Sequence, residues 1–187
     1  MAMNTTDYLL AAAGLTGGGG GAAAVRGVLD GSFAGQNGVY HDDLLTTLKQ
    51  SVLSPCHLTA VVLPGVREIG GSAFRSSELL ASADLGAACA SIGMYAFQST
   101  ALTVLVLRYD GVVAINSATV FSGTPVMQGT GTLDIYVPAA RIADYEAHAK
   151  WSAALSQAGF HIHAIEGSPY ERCYVDGVPV PEGGDRR

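Results

Sequence analysis

Residues 58–121 state one pattern three times, and that repetition limits what the chain can become. Ile69, Ile92 and Ile115 recur at intervals of 23 residues, and Phe74, Phe97 and Phe121 recur at intervals of 23 and 24. A unit this short is a single supersecondary element that cannot enclose its own apolar face, so each copy must bury that face on the next. The expected product is an α/β solenoid. Alternate apolar positions in Leu58, Ala60 and Val62, and again in Leu102, Val104 and Val106, predict one half-buried strand per copy, with strands of successive copies side by side in a parallel sheet. On this parity Thr59, Val61, Thr103 and Leu105 face outward. Gly70 and Gly93 are expected to adopt a backbone conformation costly for residues with a Cβ, turning the chain after the inward isoleucine. Each phenylalanine then fills the space between the sheet and the convex side.

A degenerate copy precedes these three. Leu48 and Leu53 stand 21 residues before Ile69 and Phe74, with the glycine and the aromatic ring lost. A terminal copy, with one neighbour fewer, tolerates such loss.

The run Leu-x-x-Val/Leu-x-Leu, a short turn and then Ile69-Gly70-Gly71-Ser72-Ala73-Phe74 resembles the BspA-type, or Treponema pallidum-type, leucine-rich repeat. Ile92-Gly93-Met94-Tyr95-Ala96-Phe97 matches equally well, whereas residues 115–121 carry one extra residue and Asn116 in place of glycine. Leu133-Asp134-Ile135-Tyr136-Val137-Pro138, followed by Tyr145 and Trp151, is similar to the closing segment of the same family. The resemblance spans roughly residues 45–165. It implies a short leucine-rich-repeat solenoid with a parallel β-sheet and a C-terminal strand-helix-strand cap. The repeat core would comprise Leu48, Leu53, Ile69, Phe74, Ile92, Phe97, Ile115 and Phe121.

The remainder of the chain arranges itself around that block. Residues 1–24 are expected to serve as a leader, with a short helix over 4–15 and with the five consecutive glycines at 17–21 as a flexible joint suited to tethering. Residues 25–47 are expected to cap the open edge of the first copy, using the Asp30-Gly31 and Asn37-Gly38 turns. The repeats occupy 45–132. A strand at 133–137, stopped by Pro138, opens the C-terminal cap at 133–166. One amphipathic helix over 139–158 should turn Ile142, Tyr145, Ala149, Trp151 or Ser152, and Leu155 inward, with Gly159 ending it before a last strand at 160–165. The tail at 167–187 holds one apolar stretch, Tyr174 to Val180, expected to form a small hairpin against a partner, with the final residues disordered.

Charge and cysteine usage exclude several classes. The 187 residues carry a formal net charge of −6 with 14% charged residues and no Lys/Arg run, which argues against nucleic acid as a partner. No basic residue precedes the apolar run at 9–15, which is too short to span a membrane, so neither an export signal nor membrane insertion is expected. Cys56, Cys89 and Cys173 have no metal-like spacing and cannot all pair. The Cys56 position reads as a buried core residue.

No catalytic constellation is legible. There is no Gly-x-Ser-x-Gly elbow, no phosphate loop with its lysine and no His-Glu-x-x-His. His161-x-His163 shares one strand face, but two histidines without a third ligand in sequence reach predict no metal site. Adjacent Asp42 and Asp43 read as a solvated turn. An enzyme is therefore the remote alternative, and no cofactor is expected.

Binding remains. The candidate surface is Thr59, Val61, Thr103 and Leu105 with Arg67, Tyr95, Arg108 and Tyr109 beside them. The repeats, the glycine-bearing leader and the Tyr-Val-Pro closing segment together look like repeat proteins carried by bacteriophages and prophages of gut bacteria. That resemblance implies a virion accessory protein (tail, fibre or capsid decoration), assembled in the host cytoplasm. Its leader would hold other virion proteins, and its repeat face would meet a host surface protein or glycan. A homo-oligomer, such as the trimer of a fibre, fits that setting. The alternative is a bacterial cell-surface or secreted adhesin.

Overall fold

A computed structural model describes residues 38–181. The expected leader at 1–24, most of the N-terminal cap and the last residues of the tail lie outside the described residues. Among the described residues, ten strands fall into two parallel sheets. The larger contains β1 (Val39–His41), β3 (Ala60–Leu63), β5 (Ser82–Leu85), β7 (Val104–Leu107), β9 (Leu133–Val137) and β10 (Phe160–Ala164), in that spatial order. The smaller contains β2 (Thr47–Leu48), β4 (Glu68–Ile69), β6 (Ser91–Ile92) and β8 (Ala114–Ile115), also in order. The fold is α/β, with few helices and each strand beside the strand of the preceding segment.

The register follows the sequence columns. Leu48 pairs with Ile69, Ile69 with Ile92 and Ile92 with Ile115 across the small sheet, all four side chains buried. The phenylalanines stack, Phe74 on Phe97 at 5.4 Å between centroids and Phe97 on Phe121 at 6.4 Å, with planes within 12° and 10°. Between the column of isoleucines and the column of phenylalanines the turns are also tied segment to segment. Ser72 N–H donates to Met94 O, Phe74 N–H to Ala96 O and Phe97 N–H to Val120 O, at 2.9–3.0 Å. Neighbouring segments thus share hydrogen bonds along the large sheet, the small sheet and the turns, which satisfies backbone groups that burial would otherwise strand.

Three expectations are corrected. Leu58 and Leu102 are buried as expected, but within the strands the parity is inverted: Val61, Leu63, Ala83, Leu85, Leu105 and Leu107 enter the core, whereas Ala60, Val62, Val104 and Val106 lie on the opposite face of the sheet. Val61 and Leu105 are 0% exposed and therefore offer no binding surface. Both faces of these strands carry apolar residues, so alternation could not set the direction.

Gly70 and Gly93 do not take positive φ; space is the constraint. A Cβ on Gly70 would lie 2.5 Å from Gln50 N, and one on Gly93 2.4 Å from Gly71 N, because each segment passes directly over the backbone of the last. The left-handed positions are instead Ser51, Ser72 and Tyr95, with φ of 57°, 55° and 60°, and Ser76 and Ser99.

The helix expected over 139–158 is broken. A 3-10 turn at Ala139–Arg141 leads into α1 (Ile142–Ala147), His148 takes an extended conformation, and α2 (Ala149–Leu155) follows. Tyr145 and Trp151 stand six residues apart, and on one straight helix they would point about 120° away from each other. The break turns both onto Val113: Tyr145 Oη accepts its N–H at 3.0 Å and Trp151 Nε1 donates to its carbonyl at 2.7 Å. Ala149 is exposed and Ser152 faces solvent. Gly159 has φ of +90°, but at the entry to β10. Trp151 and Phe160 then close the phenylalanine column against Phe121, at 6.1 and 5.8 Å.

Candidate functional site

Because Leu58, Val61 and Leu63 and their counterparts point into the core, the opposite face of the large sheet is the broad surface left to the molecule. The register lays out two rows across it. The first contains Val39, Ala60, Ser82, Val104, Asp134 and His161, and the second contains His41, Val62, Asp84, Val106, Tyr136 and His163.

The middle of the second row, Val62, Asp84 and Val106, is not open. Asp84 and Arg108 have side chains only 1% and 3% exposed, although both belong to the face away from the core. The C-terminal tail covers them. After β10 the chain doubles back as a small hairpin, with a Cys173–Pro179 bridge and Tyr174 N–H donating to Val178 O at 2.8 Å. The hairpin expected from the apolar stretch is present, and it packs on this chain's own sheet. Val175 N–H donates to Asp84 Oδ2 at 3.3 Å, Arg108 Nη2 donates to Cys173 O at 3.3 Å, and the Arg108 guanidinium lies 5.0 Å from the centre of the Tyr174 ring.

At one margin Tyr174 sets its edge against His41 at 5.3 Å, and His41 Nδ1 meets Asp176 Oδ2 at 2.8 Å. At the other, Tyr170 packs edge-on against Tyr136 at 4.7 Å. The tail is thus strapped over the row by two hydrogen bonds to a buried ion pair, a histidine-carboxylate pair and two aromatic contacts.

Electrostatics under the strap follow from burial. Removal from water raises the Asp84 carboxyl above its ordinary range, opposed by the guanidinium of Arg108 and by the Val175 amide. Burial alone would lower the His41 imidazole, but the carboxylates of Asp176 and Asp43 outweigh it and the net shift is upward. Asp42 accepts the N–H groups of Leu44 and Leu45 at 2.9 and 3.0 Å, so the Asp42-Asp43 pair forms a turn, with Asp43 also contacting His41. Cys56 is buried against the Ser77 hydroxyl, which its thiol meets at 3.2 Å, and burial raises its thiol. Cys89 is pushed up to about 12 by burial. No disulfide joins the three cysteines.

The first row is exposed in part. Ser82, Val104 and Asp134 are half-buried, His161 is exposed, and Thr59 and Thr103 lie exposed at the strand entries beside them. The eight residues expected on the binding surface scatter. Thr59 and Thr103 border the open row. Val61 and Leu105 are core, and Arg108 lies under the strap, correcting all three. Arg67 is exposed beside the small sheet, and Tyr95 is half-buried in the turn after β6. Tyr109 lines a groove of about 830 Å³ at the far ends of the strands, with Asp110, Pro138, Ile165, Glu166 and Arg172.

The structure also assembles side chains that sequence reasoning left apart. His161 pairs directly with Asp134 across β9 and β10, and His163 Nε2 lies 2.8 Å from Asp134 Oδ1. The residues missed were Asp84, Asp134, Tyr136, Tyr174 and Asp176. One signal was available for Asp84, a carboxylate in a column otherwise holding Val62 and Val106, with an arginine 24 residues on.

Among the described residues no helix is long and apolar enough to cross a membrane. Comparison of the chain with protein-family models, with curated proteins and with solved structures finds no match in any of the three.

Proposed function

We propose that this chain is a non-catalytic recognition module: a short leucine-rich-repeat solenoid of the BspA type, borne as an accessory protein on a bacteriophage particle. The observation that carries the reading is the strand order. Successive segments lie side by side in both sheets with the isoleucine and phenylalanine columns in register, which is how stacked repeats bury a shared core. The output of such a stack is an extended surface. Here that surface is the open row from Ser82 through Val104 to Asp134 and His161, with Thr59 and Thr103 at its border.

A host surface protein or a polar glycan suits this row better than a ring-stacking sugar platform, because its centre holds small and hydroxyl side chains. The leader at 1–24 would join the module to other virion proteins. Two measurements test the proposal. Binding of the purified chain to host cells or a glycan array should fall when Ser82→Arg or Thr103→Glu places a charged, bulky group on the row, and should be unaffected by Arg67→Glu. Mass spectrometry of purified particles should recover the chain. Recovery with the cell envelope in place of particles would replace the virion reading with a cell-surface adhesin.

A further inference from the structure

We propose that Asp134, His161 and His163 form a binding site for a divalent transition-metal ion of the zinc class. The proposal is independent of the virion reading. Its first support is the alternation of β10, which sends His161 and His163 to one side of the strand while Phe160 enters the core. Its second is the parallel pairing with β9, which sets Asp134 opposite His161 and on the same face. One donor atom from each residue lies within 4.8 Å of the others: His163 Nε2 and His161 Nδ1 stand 2.8 and 3.6 Å from Asp134 Oδ1.

Zinc bonds of about 2.0–2.2 Å to nitrogen and oxygen, set tetrahedrally, place ligand atoms roughly 3.3 Å apart. The three donors bracket that spacing, so small torsional changes in exposed side chains bring all of them onto one ion. The side chains are 52%, 41% and 33% exposed for His161, His163 and Asp134, so an ion reaches them without any opening of the fold.

Chemistry selects the class of ion. Two imidazoles and one carboxylate are borderline ligands that suit zinc and its neighbours and are a poor cage for calcium or magnesium, which favour all-oxygen sets. The face of Tyr136 stacks on His163 at 5.0 Å and 29°, and Tyr170 holds Tyr136 in turn, so one imidazole is already oriented. Three protein ligands leave a fourth position for water or for a donor atom from a molecule seated on the open row.

The test is a zinc chloride titration of untagged, EDTA-stripped protein by calorimetry, repeated with cobalt(II) followed by visible absorption. One equivalent is expected. His161→Ala and His163→Ala should each weaken binding by roughly tenfold or more, and the double variant should lose saturable binding altogether. His57→Ala, an exposed histidine elsewhere, should leave it unchanged. Acidification should also weaken uptake, since imidazole binds metal only when neutral. Matching thermal melts in EDTA would show the variants folded, and Asp134→Asn supplies a third variant of nearly unchanged shape. The proposal is overturned by no saturable uptake up to about 100 μM free zinc, or by uptake that survives in the double histidine variant.

Discussion

Arg108 holds both carboxylate oxygens of Asp84, through Nε at 2.7 Å and Nη2 at 2.9 Å, on the face of the sheet that points away from the core. The pair is dry because residues 173–175 lie over it, contributing one amide donor and one carbonyl acceptor. A bidentate pair at such a place fixes where the tail docks, since any other docking over it leaves the buried Arg108 Nη2 donor and Asp84 Oδ2 acceptor without the Cys173 carbonyl and the Val175 amide.

Removing one member of that pair should be far worse than removing both. Arg108→Ala leaves the Asp84 carboxylate buried and unpaired and is expected to cost about 3–5 kcal/mol in urea denaturation. The double variant Asp84→Leu/Arg108→Met, apolar and of similar volume, should return close to the parent stability. Equal losses in the single and double variants would rule out this account of the strap.

The docking of the tail should depend on pH through His41. Its imidazole is more basic in the folded chain, because Asp176 and Asp43 favour the charged form by more than burial opposes it. A raised folded value means the contribution is complete below the unfolded value of about 6.5 and disappears as pH rises through the higher folded value. Hydrogen exchange at the Val175 and Gly177 amides, corrected for intrinsic rates, should therefore show weaker protection above that window. Asp176→Asn should flatten the profile.

The middle of the aromatic column should be its most sensitive point. Phe97 stacks on a ring at each side, so Phe97→Ala opens a cavity between two segments and is expected to cost about 3–5 kcal/mol. Phe97→Leu should cost clearly less, as Leu53 already stands in the equivalent place at the end of the stack. Chemical denaturation of the two variants decides.

Two neighbouring glycines should respond differently to a methyl group. On Gly93 a Cβ would fall 2.4 Å from Gly71 N, against backbone that cannot yield, whereas on Gly71 the nearest atom is Met94 O at 3.4 Å. Gly93→Ala should destabilise by about 1–3 kcal/mol or more and Gly71→Ala by a few tenths. Comparable midpoint shifts would show that the segments can move apart.

Much of the architecture was legible because a repeat writes its register into the chain. Identical spacing of Ile69, Ile92 and Ile115 puts the same atoms at the same place in consecutive segments, so the isoleucine and aromatic columns follow from counting, whereas the sheet that the isoleucines form for themselves goes beyond the one strand per copy expected. Facing direction was not legible. Ala60-Val61-Val62-Leu63 is apolar at every position, and only the packed structure shows Val61 and Leu63 inside and Val62 buried on the opposite face. The kink at His148 was also hidden, because nothing local announces that Tyr145 and Trp151 share Val113.

The amino-acid order by itself determined the period, the parallel pairing and the isoleucine and phenylalanine columns of the core, since those depend on which side chains recur and how far apart. Tertiary structure alone decided what happens on the other face. Asp84 meets Arg108 across a strand pair, and Asp134 meets His161 and His163 across a connection that passes through two helices. The tail crosses the sheet to meet residues about 90 and 135 positions earlier. Contacts of that range have no periodicity to betray them; they form only when the stacked strands have set the distances.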